Sequence, residues 1–277
     1  MDELVDDRRR GLAFSVLGGP TTVIDIGGLR MVMDPTFDPP GQQGYLVKTA
    51  SPAIESTALG KIDVVLISHD EHPDNLDAGG RRVALAAPLV LTHPRAARRL
   101  GPAAHGLEPW QSIDLPGGDG VEPVTVQAVP AVHGPADGQR NETGHVNCEV
   151  TGFVLSGPAV PTVYLSGDNA SIGAVKAIAG RVGVVDIAVI FAGAARVPTK
   201  DRGRPLTFTG QRAAAAAELL GAKAVIPAHV DGWAHFSEGR DDFVGAFEEA
   251  GLSHVITVAP HGRWITFGPT GARVGST

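Results

Sequence analysis

Cysteine is almost absent from these 277 residues. The one copy, Cys148, leaves no partner for an intrachain disulfide and fits a reducing compartment. It also denies the chain a sulfur-rich set of metal ligands. No apolar run approaches the ~18 residues that a membrane-spanning helix needs, so no membrane segment is expected. The amino-terminal residues, Met1-Asp2-Glu3-Leu4-Val5-Asp6-Asp7-Arg8-Arg9-Arg10, lack the apolar core of a secretory signal, and the expected location is cytoplasmic. Positive charge is also in deficit. Lys and Arg number 23 against 30 Asp and Glu, a formal net charge of −7, which argues against a nucleic-acid partner because a phosphate backbone wants a basic surface. No repeat unit stands out. With 43% hydrophobic and 19% charged residues, the composition is that of a globular protein, and the length suffices for one large core, read as a single domain over 1–277.

What the chain does have is concentrated after residue 63. Val64-Val65-Leu66-Ile67 carries three β-branched residues in four and reads as a buried strand. Then, from His69 to Asp77, two imidazoles and four carboxylates fall within nine residues. A folded core tolerates that density of ionisable groups only if they are paired or hold a cation. Imidazole suits zinc and its neighbours, and carboxylate adds harder oxygen donors, so the cluster reads as a metal site, against the simpler alternative of a solvated acidic turn. Three further segments repeat the design. His133 ends the apolar run from Val124, Asp168 lies in the turn Ser166-Gly167-Asp168 after Tyr164-Leu165, and His229 ends Ala224-Val225-Ile226-Pro227-Ala228. In each, a polar residue stands just past the carboxyl end of a hydrophobic run, where open α/β sheets place their ligands.

This ordered series, a His-rich loop, a His after a strand, a Ser-Gly-Asp turn and a final His, resembles the metallo-β-lactamase superfamily, and within it the UlaG-like metal-dependent hydrolases. The likeness runs from Asp34-Pro35 to His229. The first motif departs from the family pattern H-x-H-x-D-H. Aligned backward from Asp74, His72 takes the second His position and Asn75 stands where the last His would be, with His69 displaced by a one-residue bulge. Aligned forward from His69, Glu71 takes the second His position and Pro73 the Asp position; proline has no ligating side chain, so the backward register is the better chemistry. Glu71 and Asn75 stay open as ligands.

By position, the resemblance implies that His69, His72 and His133 hold one cation, Asp74 and His229 a second, and Asp168 bridges them. It implies a metal-activated water acting on a small ester, lactone, amide or phosphodiester. With Asn75 in place of an imidazole, the second site has one strong donor fewer, so one or two metals are both compatible. Zinc is the first choice for the imidazole-rich set, with manganese or iron open because of the carboxylates. The alternative is a non-catalytic or sensory metal-binding protein of the same fold. A homo-oligomer is left open.

The expected fold class is α/β (α+β), the four-layer αββα metallo-β-lactamase sandwich. Strands are read at 12–17, 22–26, 29–33, 64–67, 89–92, 124–132, 150–155, 162–165, 187–191, 224–226 and 255–258, with little periodicity over 41–51. Helices are read at 94–100, 171–181, 209–220 and 241–250, and Thr209 and Gly221 are read as cap and stop of the third. Residues 135–146 read as a mobile polar insertion that could gate the site.

Among other candidates, Asp74 is expected to orient the attacking water, and His235 to reach the substrate as an acid or hydrogen-bond donor. His145 is a weaker substrate contact. Asp34 and Asp186 are candidates to hydrogen-bond a ligand imidazole. His93, His105, His254 and His261 are read as ordinary surface or core residues. The run from Arg95 to Arg99 is read as a solvated helix face, and Gly167 as a turn requirement.

Overall fold

The computed structural model describes residues 9–118, 120–268 and 271–275. The chain opens with three antiparallel strands, β1 (Leu12–Gly18), β2 (Thr21–Ile26) and β3 (Leu29–Met33). A small hairpin of β4 (Gly41–Gln43) and β5 (Leu46–Lys48) follows, in a stretch whose sequence shows little periodicity. Next come β6 (Val64–Leu66), α1 (Ala78–Ala86), β7 (Val90–Thr92), α2 (Pro94–Leu100) and β8 (Ala104–Gly106). The second half holds β9 (Ser112–Leu115), β10 (Val124–Pro130), β11 (Thr151–Gly157), β12 (Val160–Leu165), α3 (Ile172–Val182) and β13 (Ile187–Phe191). It continues with α4 (Gly210–Leu220), β14 (Ala224–Ala228) and α5 (Arg240–Glu249), and closes on β15 (Ile265–Gly268) and β16 (Gly271–Val274).

The strands form two large sheets, ordered β16-β15-β1-β2-β3-β6-β7-β8 and β14-β13-β12-β11-β10-β9. Period-2 alternation explains how they stack. On β1, Phe14 and Val16 face the second sheet, meeting Phe153, Leu155, Val189 and Phe191 in the central core, while Ala13 and Leu17 face outward. That outer face packs on Ala84 of α1 and on Ala96 and Leu100 of α2. On the far side, Tyr164, Ala188 and Ile190 pack on α3, α4 and α5 through Val175, Ile178, Ala213, Ala217, Phe243 and Phe247. The four layers are helix, sheet, sheet, helix, the αββα sandwich that the resemblance implies.

The capping chemistry of α4 is as expected: Thr209 Oγ1 accepts from the Arg212 N–H at 3.2 Å, and Gly221 ends the helix in the left-handed conformation at φ 60°. The strand expected at 255–258 is not there. Residues 253–255 form a single 3-10 turn, and the segment touches β14 through one bridge, Val225 to Ile256. Its apolar character serves burial of Val255 under α5, not a ladder. Helix α1 follows the His-rich loop directly. Asp77 caps it, with Oδ1 accepting from Gly80 N–H at 2.7 Å.

Parallel pairing brings the site-bearing strand ends to one edge. Strand β6 is parallel to β3 and β7, and β12, β13 and β14 are parallel to one another. Strand β10 runs the same way as β12, because both are antiparallel to β11.

Candidate metal centre

Each polar residue singled out at a strand end lies at that common edge. His69 begins the loop after β6, His133 and Asp168 each lie three residues past β10 and β12, and His229 directly follows β14. Two backbone features fix the aim of these side chains. Gly167 has φ 54°, and a Cβ there would sit 2.8 Å from both Ser68 Cβ and Thr151 O, so only glycine lets this turn nest under the first loop. His229 itself is left-handed at φ 57°, with its N–H donating to Gly19 O at 2.7 Å. A non-glycine residue in that region is uncommon and costs about 1–3 kcal/mol, a strain that recurs at functional sites.

Three histidines converge first. His72 Nδ1 lies 2.9 Å from His69 Nε2 and 3.0 Å from His133 Nε2, and all three rings are buried. The other ring nitrogens set the tautomers. His133 Nδ1 faces Leu206 O at 3.1 Å and must donate to it, leaving a lone pair on Nε2. His69 Nδ1 faces Ser68 Oγ at 3.0 Å, and that hydroxyl donates to Asp34 Oδ2 at 2.6 Å. His69 Nε2 therefore also presents a lone pair. Contrary to the sequence reading, Asp34 does not hydrogen-bond an imidazole directly; it reaches the His69 ring through the Ser68 hydroxyl. Cys148 Sγ belongs to this group: its sulfur and the three histidine nitrogens all lie within 4.8 Å of one another.

Asp74, Asp168 and His229 form the second group, again with ligand atoms within 4.8 Å. His229 Nε2 is 3.2 Å from Asp74 Oδ2 and 3.5 Å from Asp168 Oδ1, while Asp168 Oδ2 is 3.5 Å from His133 Nε2 and so reaches towards the first group. Asp74 Oδ1 and Asp168 Oδ2 are buried without a hydrogen-bond partner among the described residues. Orphaned carboxylate oxygens of this kind are costly unless a cation meets them. The residues present therefore fit a metal: neutral imidazole lone pairs on one side and unpaired carboxylate oxygens on the other.

Electrostatics agree with that chemistry. Burial holds His69 and His133 well below the usual histidine range and His72 down at about 4, so all three are neutral and available as donors at pH 7. Burial pushes Asp34 up to about 7 and Asp168 up to about 6. Burial would raise Asp74 as well, but hydrogen bonds from His229 and His235 hold it well below the usual carboxylate value. His229 shows the complement: burial alone would lower it, yet Asp168 and Asp74 together raise it.

The residues of the two registers point different ways. Glu71 points away from the imidazoles, 42% exposed at its side chain, and pairs with Arg99 at 3.2 Å. Asp70 is likewise turned aside, held by Arg99 and Arg81. The run from Arg95 to Arg99 is therefore not simply solvated, because Arg99 anchors the His-rich loop through Asp70 and Glu71. Asn75 donates through Nδ2 to Asp34 Oδ2 and Asp168 Oδ1, both at 3.0 Å. Asp186 does not touch a ligand imidazole; it pairs with Lys223 at 2.7 Å and accepts from Thr162 N–H, because it lies at the opposite, amino-terminal edge of β13. His93 is buried as the cap of α2 and faces Glu149 at 3.2 Å. His145 lies 3.9 Å from the same Glu149. His235 turns inward, with Nε2 3.0 Å from Asp74 Oδ2.

Sequence reasoning missed Ser68, Cys148 and the group at the rim. There Lys200 Nζ lies 2.9 Å from Asn147 Oδ1, 3.3 Å from His72 Nε2 and 3.5 Å from Tyr45 OH. Tyr45 comes from the β4–β5 hairpin and Lys200 from the loop before α4, so no spacing signal could have joined them. Beside this rim, residues of the 135–146 insertion, Gln139, Arg140 and Asn141, line a cavity of about 880 Å³ with Thr199, Arg202 and Arg204. None of the site histidines lines it.

Two stacked sheets with helices outside and a His/Asp cluster at their shared edge make up the metallo-β-lactamase architecture. A family model described as a beta-lactamase superfamily domain matches residues 29–230, and the chain belongs to that superfamily. It is 27% identical over 209 residues to a UPF0173 metal-dependent hydrolase of Methanocorpusculum labreanum, covering 75% of this chain and 85% of that protein. A protein of the same description from Pyrobaculum aerophilum is 24% identical over 247 residues, 88% of this chain and 95% of the relative. Among solved structures, "a possible metal-dependent hydrolase" from Veillonella parvula superposes with a TM-score of 0.78 at 16% identity, over 92% of this chain and 98% of that one. The isothiocyanate hydrolase from Delia radicum gut bacteria gives 0.76 at 18% identity, over 92% and 99%. These likenesses show the fold. Among the described residues, no helix is long and apolar enough to cross a membrane.

Proposed function

We propose that this chain works as one unit, a metal-dependent hydrolase acting on a small ester, lactone, amide or phosphodiester. The observation that carries the reading is the meeting of three buried neutral imidazoles, two of them with Nε2 lone pairs turned inward, with two orphaned carboxylate oxygens at one sheet edge. The relatives described as metal-dependent hydrolases support it. His69, His72 and His133 would hold one cation, Asp74 and His229 a second, and Asp168 would lie between them. Zinc suits the imidazole group best, and manganese or iron suit the carboxylate group. A divalent metal bound there supplies Lewis acidity and lowers the pKa of water towards neutrality.

The chain's own residues supply the rest. Asp74, its carboxylate held ionised by His229 and His235, would orient the attacking water by accepting a hydrogen bond from it. Asp34 and Ser68 keep the His69 ring in one tautomer. Lys200, Tyr45 and Asn147 stand at the mouth, where an ammonium, a hydroxyl and an amide can meet oxygens of the substrate. The near absence of cysteine supports a cytoplasmic setting.

The test is Asp74→Asn, assayed on a panel of esters, lactones, amides and phosphodiesters. It keeps the size and removes the charge, so kcat should fall by roughly 10²–10⁴ with a smaller change in KM. An Asp74→Asn protein with undiminished kcat would remove the proposed role. A fully metallated wild type that hydrolyses nothing on the panel would overturn the hydrolase reading and leave a metal-binding protein without turnover.

A further inference from the structure

The second group as so far described is unequal to the first. It offers two carboxylates and one imidazole, and Asn75, the residue nearest to making up the difference, has its amide nitrogen committed to Asp34 and Asp168. One more imidazole is present. His235 Nε2 lies 3.0 Å from Asp74 Oδ2, the oxygen that His229 Nε2 approaches at 3.2 Å. Two ring nitrogens from different parts of one loop therefore close on a single carboxylate oxygen. The first group shows the same signature, with His69 Nε2 and His133 Nε2 both closing on His72 Nδ1.

The His235 ring is placed, not merely near. It is only 10% exposed at its side chain. Phe236 wedges between the two imidazoles, its ring centroid 4.1 Å from His229 and 4.6 Å from His235. The loop is pinned on both sides by isolated bridges, Lys48 to Trp233 and Ala195 to Phe236, and the Arg196 N–H donates to His235 O at 2.8 Å. An imidazole that served the substrate as an acid would need its reactive nitrogen facing the open mouth. Here Nε2 faces Asp74, and Nδ1 is buried with no hydrogen-bond partner among the described residues.

We propose that His235 is a metal ligand, binding through Nε2 and completing a second site of Asp74, Asp168, His229 and His235. The inference rests on the metal-centre reading above and deepens it. Asn75 is then a positioning residue that holds Asp168 from behind, and the imidazole absent from the first motif is supplied from the far end of the chain. Each metal position receives at least two imidazoles, which favours a chain that binds two equivalents over one that binds one.

The experiment uses the full-length protein stripped with a chelator and titrated with Zn²⁺ alone, followed by long-range ¹H–¹⁵N spectra of its histidines. His235 resonances are assigned by their loss in His235→Gln. Zinc should bind to two equivalents, and His235 Nε2 should lose its proton and take the shift of a metal-ligated nitrogen. In His235→Gln the second equivalent should weaken by at least about 100-fold, the upper end of what losing an outer partner alone does, while the first is unchanged. If zinc binds at Asp74, Asp168 and His229 but His235 Nε2 keeps its proton against Asp74, the residue is only an orienter of that carboxylate and the inference is overturned by itself. If no zinc binds at all, the metal-centre reading falls with it.

Discussion

Asn75→Asp alters one terminal group, yet it strikes the most charged point of the buried centre. The Asn75 amide donates both of its hydrogens, to Asp34 Oδ2 and to Asp168 Oδ1, each at 3.0 Å, and all three side chains are buried. A carboxylate in its place loses two hydrogen bonds to charged acceptors, each worth about 1.5–3 kcal/mol, so about 3–6 kcal/mol in all. It also sets a third acid against two others, which forces at least one to take up a proton. Asp34 and Asp168 already sit high, at about 7 and about 6, against an unfolded value near 3.8. Groups raised in the folded state stabilise fully below their unfolded pKa and lose that contribution as pH rises through the folded value. The metal-free variant should therefore be weakest near pH 8 and regain part of its deficit near pH 5. Asn75→Ala, which loses the bonds without adding charge, should be the milder change at pH 8. Urea denaturation of chelator-treated proteins at both pH values measures this. An Asn75→Asp protein within about 1 kcal/mol of wild type at pH 8, or no worse than Asn75→Ala, would refute the reasoning.

Other consequences can be measured separately. His72, held at about 4 in the fold against 6.5 unfolded, stabilises above 6.5 and loses that contribution as pH falls towards 4. The stability of metal-free wild type relative to His72→Asn, a comparison that cancels the shared carboxylates, should thus fall by about 3 kcal/mol over that window; a flat difference would contradict it. His72→Ala should lose metal while Glu71→Ala keeps it, since Glu71 is turned out to Arg99, and metal analysis showing the reverse order would restore the forward register. Gly80→Ala would place a Cβ 1.6 Å from Pro35 O, wedging α1 away from the loop that carries Asp34. It should cost about 3 kcal/mol or more in denaturation, and a neutral result would mean that α1 can shift freely.

Much of this molecule was legible because its site is written at strand ends. The runs ending before His69, His133, Asp168 and His229 are short, apolar and abruptly terminated, and burial from both faces forces that pattern on a central strand. The same logic recovered β3 and β13 to the residue, and the helix read at 94–100 coincides with α2. Edge elements were not legible. Strands β8 and β9 are three and four residues long and half exposed, so they carry no apolar run. Helix α1 opens Ala78-Gly79-Gly80, a poor helix sequence that is helical because Asp77 caps it and the glycines let it lie against residues 35–38. The segment at 255–258 misled because burial under a helix and burial in a sheet write the same apolar letters. Within the site, the register of the His-rich loop could be argued only by excluding proline as a ligand. Its physical cause lies elsewhere in the chain: Arg99 draws Asp70 and Glu71 outward, and so turns His69 and His72 towards His133. Cys148, Tyr45 and Lys200 reach the centre from loops whose proximity is purely tertiary.

The claim that this is a metal-dependent hydrolase is tested most directly by one reconstitution. Chelator-stripped protein is assayed across esters, lactones, amides and phosphodiesters before and after stoichiometric Zn²⁺, Mn²⁺ or Fe²⁺ is returned. The stripped protein should show no turnover, activity should return with at least one of these ions, and His133→Ala should not recover. Turnover that survives complete removal of metal, or that returns equally in His133→Ala, would contradict that claim.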